Sequence, residues 1–72
     1  MSDHPSVSII VPILNEASSL KKFYNELTVA LSEHPDHEII FIDDGSDDNS
    51  NKIIRGFVDK DSRITLIQFF KN

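Results

Sequence analysis

Three short runs of β-branched and apolar residues, separated by two segments of helical periodicity, constrain this chain of 72 residues more than any other feature. The runs are Val7-Ser8-Ile9-Ile10-Val11, Glu38-Ile39-Ile40-Phe41-Ile42 and Ile64-Thr65-Leu66-Ile67-Gln68-Phe69-Phe70. Their length and their Ile/Val content favour strands. Between the first two, Leu20, Phe23, Tyr24, Leu27, Ala30 and Leu31 recur at helical spacing and predict an amphipathic helix. Ser18 or Ser19 is the expected cap at its start, and Pro35 stands beyond its end. Between the second and third runs, Ile53, Ile54, Phe57 and Val58 repeat the helical spacing. Asp47, Asp48, Asn49 and Ser50 precede them as cap candidates, with negative charge at the positive end of the helix dipole.

The order β-α-β-α-β implies an α/β fold with parallel strands and right-handed crossovers. Two steps in the same direction give a three-stranded sheet of order 3-2-1 with both helices on one face. The first two runs are almost continuously apolar, as strands covered on both faces are. The sequence supplies helices for one face only. The expectation is therefore that residues 1–72 form part of a larger sheet domain, or self-associate through the uncovered face or edge.

Composition narrows the partners. The net charge is −5 and the pI about 4.9, which disfavours a nucleic-acid partner. There is no cysteine, so disulfides and thiolate metal sites are excluded, in keeping with a cytoplasmic setting. The longest mainly apolar stretch, Val7 to Leu14, is far short of the roughly 18–20 residues of a membrane span. The MSDHPS start lacks the basic and apolar regions of a signal peptide. His34 and His37 flank Pro35 in what reads as a solvated loop rather than a zinc site. Asp59-Lys60-Asp61 has the letters of a D-x-D motif but stands between the second helix and the third strand, where it reads as a solvated turn.

An open parallel sheet binds ligands beyond the carboxyl ends of its strands. Two loops fall there, Pro12-Ile13-Leu14-Asn15-Glu16 and Asp43-Asp44-Gly45-Ser46. At least one of the paired aspartates is expected to face a cleft. Gly45 permits a tight turn and Ser46 can bond nearby backbone amides. D-D-G-S is also ordinary turn chemistry before a helix. From these residues alone, three readings stay open: a dinucleotide-binding oxidoreductase, a receiver or flavodoxin-like module, and a structural fragment that binds nothing. The first calls for G-x-G-x-x-G after strand one, where this loop has no glycine. A receiver would place Asp43 or Asp44 in its acidic cluster, a scheme that Asn15 and Glu16 after a proline suit poorly.

Taken together, V-S-I-I-V-P-I-L-N-E and E-I-I-F-I-D-D-G-S-D-D-N-S, with a helix between them, closely resemble the start of family 2 glycosyltransferases of the GT-A fold. The resemblance runs from Val7 to Asn72, and within the family it is most similar to the branch that moves a sugar to a polyprenyl (dolichyl) phosphate. It implies the N-terminal half of a GT-A, Rossmann-like nucleotide-sugar domain. The parent would be a hexosyltransferase with a UDP-sugar-like donor, working in the cytoplasm or at the cytoplasmic face of a membrane.

Site roles follow from the resemblance residue by residue. Asp44 matches the carboxylate that accepts the base N–H, usually of uracil; a carboxylate accepts hydrogen bonds only. Pro12 and Leu14 match positions lining the base pocket, and Glu16 a carboxylate near the ribose hydroxyls. Asn15 would brace the loop, Asp43 would bind the nucleotide or orient its neighbours, and Gly45 and Ser46 would support the turn. The resemblance also implies Mg2+ or Mn2+ on the donor diphosphate, held by a motif on a later strand outside this chain. No catalytic residue and no metal ligand is therefore expected here, and the segment alone should be inactive.

Overall fold

In the computed structural model, which describes residues 5–70, the chain runs β1 (Val7–Ile13), α1 (Ala17–Ala30), β2 (His37–Asp44), α2 (Ser50–Lys60) and β3 (Ile64–Phe69). Residues 1–4 and 71–72, and with them most of the polar start and the last two positions of the family resemblance, lie outside the described residues. The strands form one parallel sheet with β2 in the middle, the order expected from the sequence. Val7 pairs with His37 and Ile13 with Asp43, while Ile39 pairs with Ile64 and Asp44 with Phe69.

This register decides which residues share a face, because side chains alternate along a strand. On β2, His37, Ile39, Phe41 and Asp43 are all buried, whereas Glu38, Ile40 and Ile42 are half-buried and Asp44 is exposed. Val11, Ile13 and Ile64 join the buried face, and Leu20 and Leu31 of the α1 region and Ile54 of α2 close over it. Both helices thus cover one side. Tyr24 of α1 stacks on Phe57 of α2 with centroids 4.1 Å apart, and Phe57 leans on Phe41 at 6.1 Å. The aromatic line joins both helices to the central strand.

The other face is open among the described residues. Ile10 is 62 % exposed, Ile67 43 % and Phe69 55 %, and Pro12 lies beside them. This is the uncovered surface that the near-continuous apolar runs imply.

Four local readings differ from the structure. β1 continues past Val11 through Pro12, which an edge strand tolerates because its outer side needs no backbone donor. α1 begins at Ala17, so Ser18 and Ser19 lie inside its first turn. There the Ser19 hydroxyl lies 3.2 Å from the Glu16 carbonyl and 3.0 Å from its carboxylate. His34 is exposed, but His37 is buried rather than solvated, because it opens β2 on the helix-facing parity. Its Nδ1 lies 2.6 Å from the His34 carbonyl, which can only accept, so Nδ1 carries the proton. Within Asp59-Lys60-Asp61, the first two end α2 and are exposed, while Asp61 is half-buried and paired with Arg63 at 3.0 Å. A hydrogen bond from Arg63 is the main cause holding the Asp61 carboxyl below its ordinary range. Arg63 also donates to the Pro35 carbonyl at 3.0 Å, closing the amino end of the sheet.

With Phe41 fully buried at the centre, Phe41→Ala is expected to cost about 3–5 kcal/mol, much of the stability of a small domain. Val29→Ala, at a side chain 73 % exposed, should stay within about 0.5 kcal/mol. Urea unfolding followed by circular dichroism checks both; an unchanged midpoint for Phe41→Ala would contradict this core.

Candidate functional site

The carboxyl ends of β1 and β2 lie side by side, since Ile13 pairs with Asp43 at the last step of the ladder. The chain must turn there into α1 and α2. Gly45 makes its turn at φ 88°, a conformation that L side chains rarely adopt, and it is buried. Asn15 turns at φ 53°, a left-handed conformation that asparagine tolerates better than most residues.

Side chains of the second loop then take up the backbone of the first. Asn15 N–H donates to Ser46 Oγ at 2.9 Å, Glu16 N–H to Ser50 Oγ at 2.9 Å, and Ala17 N–H to Asp48 Oδ2 at 3.1 Å. In return, Asp47 N–H donates to Asn15 Oδ1 at 2.8 Å. Asp48 Oδ1 accepts the Ser50 N–H at 2.9 Å and the Ser50 hydroxyl as well. The Ser50 hydroxyl bond is the main cause lowering the Asp48 pKa below the ordinary carboxyl value; desolvation opposes it, and backbone donation from Ser50 and Ala17 lowers it further by smaller amounts.

The paired aspartates separate. Asp43 points to the helix side and is fully buried; its Oδ1 accepts the Ser46 N–H at 2.9 Å, and Oδ2 has no hydrogen-bond partner within the protein. Asp44 is exposed and stands on the open face, the parity of Pro12. Pro12 and Glu16 help line a pocket of about 300 Å³ with Val11, Ser19, Leu20 and Phe23. Leu14 is 50 % exposed at the loop tip. The structure therefore brings Asn15, Ser46 and Glu16 together, sets Pro12 and Glu16 on one pocket, and leaves Asp44 outside that pocket. A larger groove of about 500 Å³ between α2 and β3, with Arg55, Asp59 and Gln68 in its lining, contains none of these residues.

Sequence reasoning named Asp48 and Ser50 only as caps for α2. The backbone amides they reach at Glu16 and Ala17 lie 34 and 31 positions away, and no local pattern reports such a contact. Of the pocket residues, Phe23 was legible only as a helix position and Ser19 only as a cap. Among the described residues, no group of three or more His, Asp or Glu side chains could hold a metal ion.

Residues 8–72 match the family model described as glycosyl transferase family 2. The chain is 36 % identical over 66 residues to an uncharacterised glycosyltransferase of Mycoplasma genitalium, covering 92 % of this chain and 22 % of that protein. It is 34 % identical over 73 residues to an uncharacterised glycosyltransferase of Bacillus subtilis, covering 100 % of this chain and 23 % of that protein. It is 38 % identical over 68 residues to an undecaprenyl-phosphate 4-deoxy-4-formamido-L-arabinose transferase of Yersinia pestis, covering 92 % of this chain and 21 % of that protein. The chain thus spans about a fifth of the length of these relatives.

The Asp48 bonds set a pH dependence. Its folded pKa is depressed, so its stabilisation is complete above the unfolded carboxyl range near ~4 and is lost as pH falls through the lower folded value. The urea midpoint of the wild type is expected to exceed that of Asp48→Asn at about pH 6, with the gap narrowing as pH falls below about 4. Asp61, common to both proteins, cancels in the difference. A gap independent of pH would contradict the assignment.

Proposed function

Because the chain belongs to glycosyl transferase family 2, we propose that it supplies the donor-nucleotide half-site of an enzyme transferring a hexose from a UDP-sugar-like donor. The observation that carries this reading is the joining of the β1–α1 and β2–α2 loops, with Pro12, Glu16 and Asp44 exposed beside the joint. Asp44 accepts the base N–H, Pro12 and Leu14 pack on the base, and Glu16 accepts from the ribose hydroxyls. Asp43, buried beneath Gly45 and Ser46, orients the turn that carries Asp44, and Asn15 braces the facing loop.

The reaction is displacement at the anomeric carbon: an acceptor oxygen forms the new bond as the nucleotide diphosphate leaves. The Yersinia relative, an undecaprenyl-phosphate 4-deoxy-4-formamido-L-arabinose transferase by name, supports a lipid phosphate as acceptor and a place at the cytoplasmic face of a membrane. No helix among the described residues is long and apolar enough to cross that membrane. Within the D-x-D-like run, Asp61 is paired with Arg63 at 3.0 Å. The Mg2+ or Mn2+ expected in the parent enzyme would be held by ligands outside this chain. By itself the segment binds nucleotide weakly and transfers no sugar.

The open sheet face belongs to the same reading: in isolation it is covered by a second copy or left as an apolar patch. Light scattering should show association that rises with concentration, and a monomer that does not bind a hydrophobic dye would contradict it. For the half-site, NMR titration with UDP should shift amides of residues 13–16 and 43–46, with and without Mn2+, and Asp44→Ala should abolish the shifts. A response to UDP that survives Asp44→Ala would remove Asp44 from the site.

A further inference from the structure

We propose that Asp48 is the positioning residue of this half-site, the group that fixes the β1–α1 loop against the β2–α2 loop so that Glu16 is set relative to Asp44 before any ligand arrives. The first amides of a helix have no partner within it. α1 receives no side-chain cap from its own N-cap, Glu16, and α2 receives none from Asn49. The needed acceptors come from Asp48 and Ser50. One carboxylate sits at the amino ends of two helices, where both dipoles favour negative charge. Its Oδ2 takes the Ala17 N–H directly.

Its reach to Glu16 runs through Ser50. The fully buried Ser50 hydroxyl donates a hydrogen bond to Asp48 Oδ1, which turns an oxygen lone pair towards the Glu16 N–H. Asn15 is held from its other side by Ser46 and Asp47. Three consecutive backbone donors, at Asn15, Glu16 and Ala17, are therefore consumed from within the protein. A helix amino end with free amides is a ready phosphate site; this one is already filled by an internal anion. The half-site is left with carboxylate and apolar side chains at its surface. It favours the donor-bearing nucleoside, with hydroxyl and base N–H groups, and offers phosphates none of the Asn15, Glu16 and Ala17 amides. This ligand preference rests on the nucleotide reading above; the weld between the loops does not.

Amide hydrogen exchange and UDP titration on the full chain test the two parts separately. In the wild type, the Glu16 and Ala17 amides should exchange slowly although both lie at the exposed start of α1. Asp48→Asn retains the shape but turns an amide group towards donors, and should speed exchange at both by about tenfold or more while the Ile39 and Phe41 amides stay protected. Ser50→Ala should release Glu16 alone, because Ala17 keeps Asp48; this variant serves if Asp48→Asn does not fold. UDP affinity should fall about tenfold in Asp48→Asn, with loss of the Glu16 shift. Wild-type protection at Glu16 and Ala17 in both variants would overturn the proposal. So would released amides with unchanged UDP affinity. The expected exchange pattern with no wild-type response to UDP would uphold the weld and remove the nucleotide reading.

Discussion

A carboxylate placed between two helix amino ends holds this fold's business end together. Parallel strands joined by right-handed crossovers deliver the starts of α1 and α2 to the same end of the sheet, side by side. Each start brings unpaired N–H groups and a positive dipole end, and two such ends repel unless something negative lies between them. Asp48 meets both demands, and Ser50 extends its reach by one residue. The two loops are joined because backbone donors of each are met by side chains of the other.

The sheet register supplies the second constraint. Alternation along β2 sends Asp43 into the helix layer and Asp44 to the open face, so two adjacent carboxylates hold different environments. One secures the Gly45–Ser46 turn through the Ser46 amide; the other remains accessible. The same alternation buries His37 and leaves Ile10, Ile67 and Phe69 exposed. Site and uncovered surface are thus two consequences of a sheet clothed on one side.

The element order, the parallel pairing and the uncovered face were legible because periodicity reports them directly. The Ile-rich runs became strands, and Leu20, Tyr24 and Leu27 became the inner face of α1. Phe23 kept its helical phase but lies over the pocket at the edge of β1, where phase alone does not bury it. The caps were misread for a different reason. Ser18 and Ser19 are good local cap residues, but tertiary contacts from Asp48 and Ser50 satisfied the first amides and let α1 begin earlier. His37 looked like part of a solvated loop until strand parity assigned it a face. The loops that carry the family resemblance were visible as letters; their mutual hydrogen bonding was not, because it joins residues more than thirty positions apart.

The most direct measurement is a comparison of amide shift maps for uridine and for inorganic pyrophosphate on the same labelled chain. If the loops form a nucleoside site whose helix amides are already occupied, uridine should perturb Glu16 and Asp44 and their neighbours, and pyrophosphate should leave the amides of Asn15, Glu16 and Ala17 unmoved. Pyrophosphate shifts at those three amides, or uridine shifts confined to the groove beside Arg55 and Gln68, would contradict the assignment.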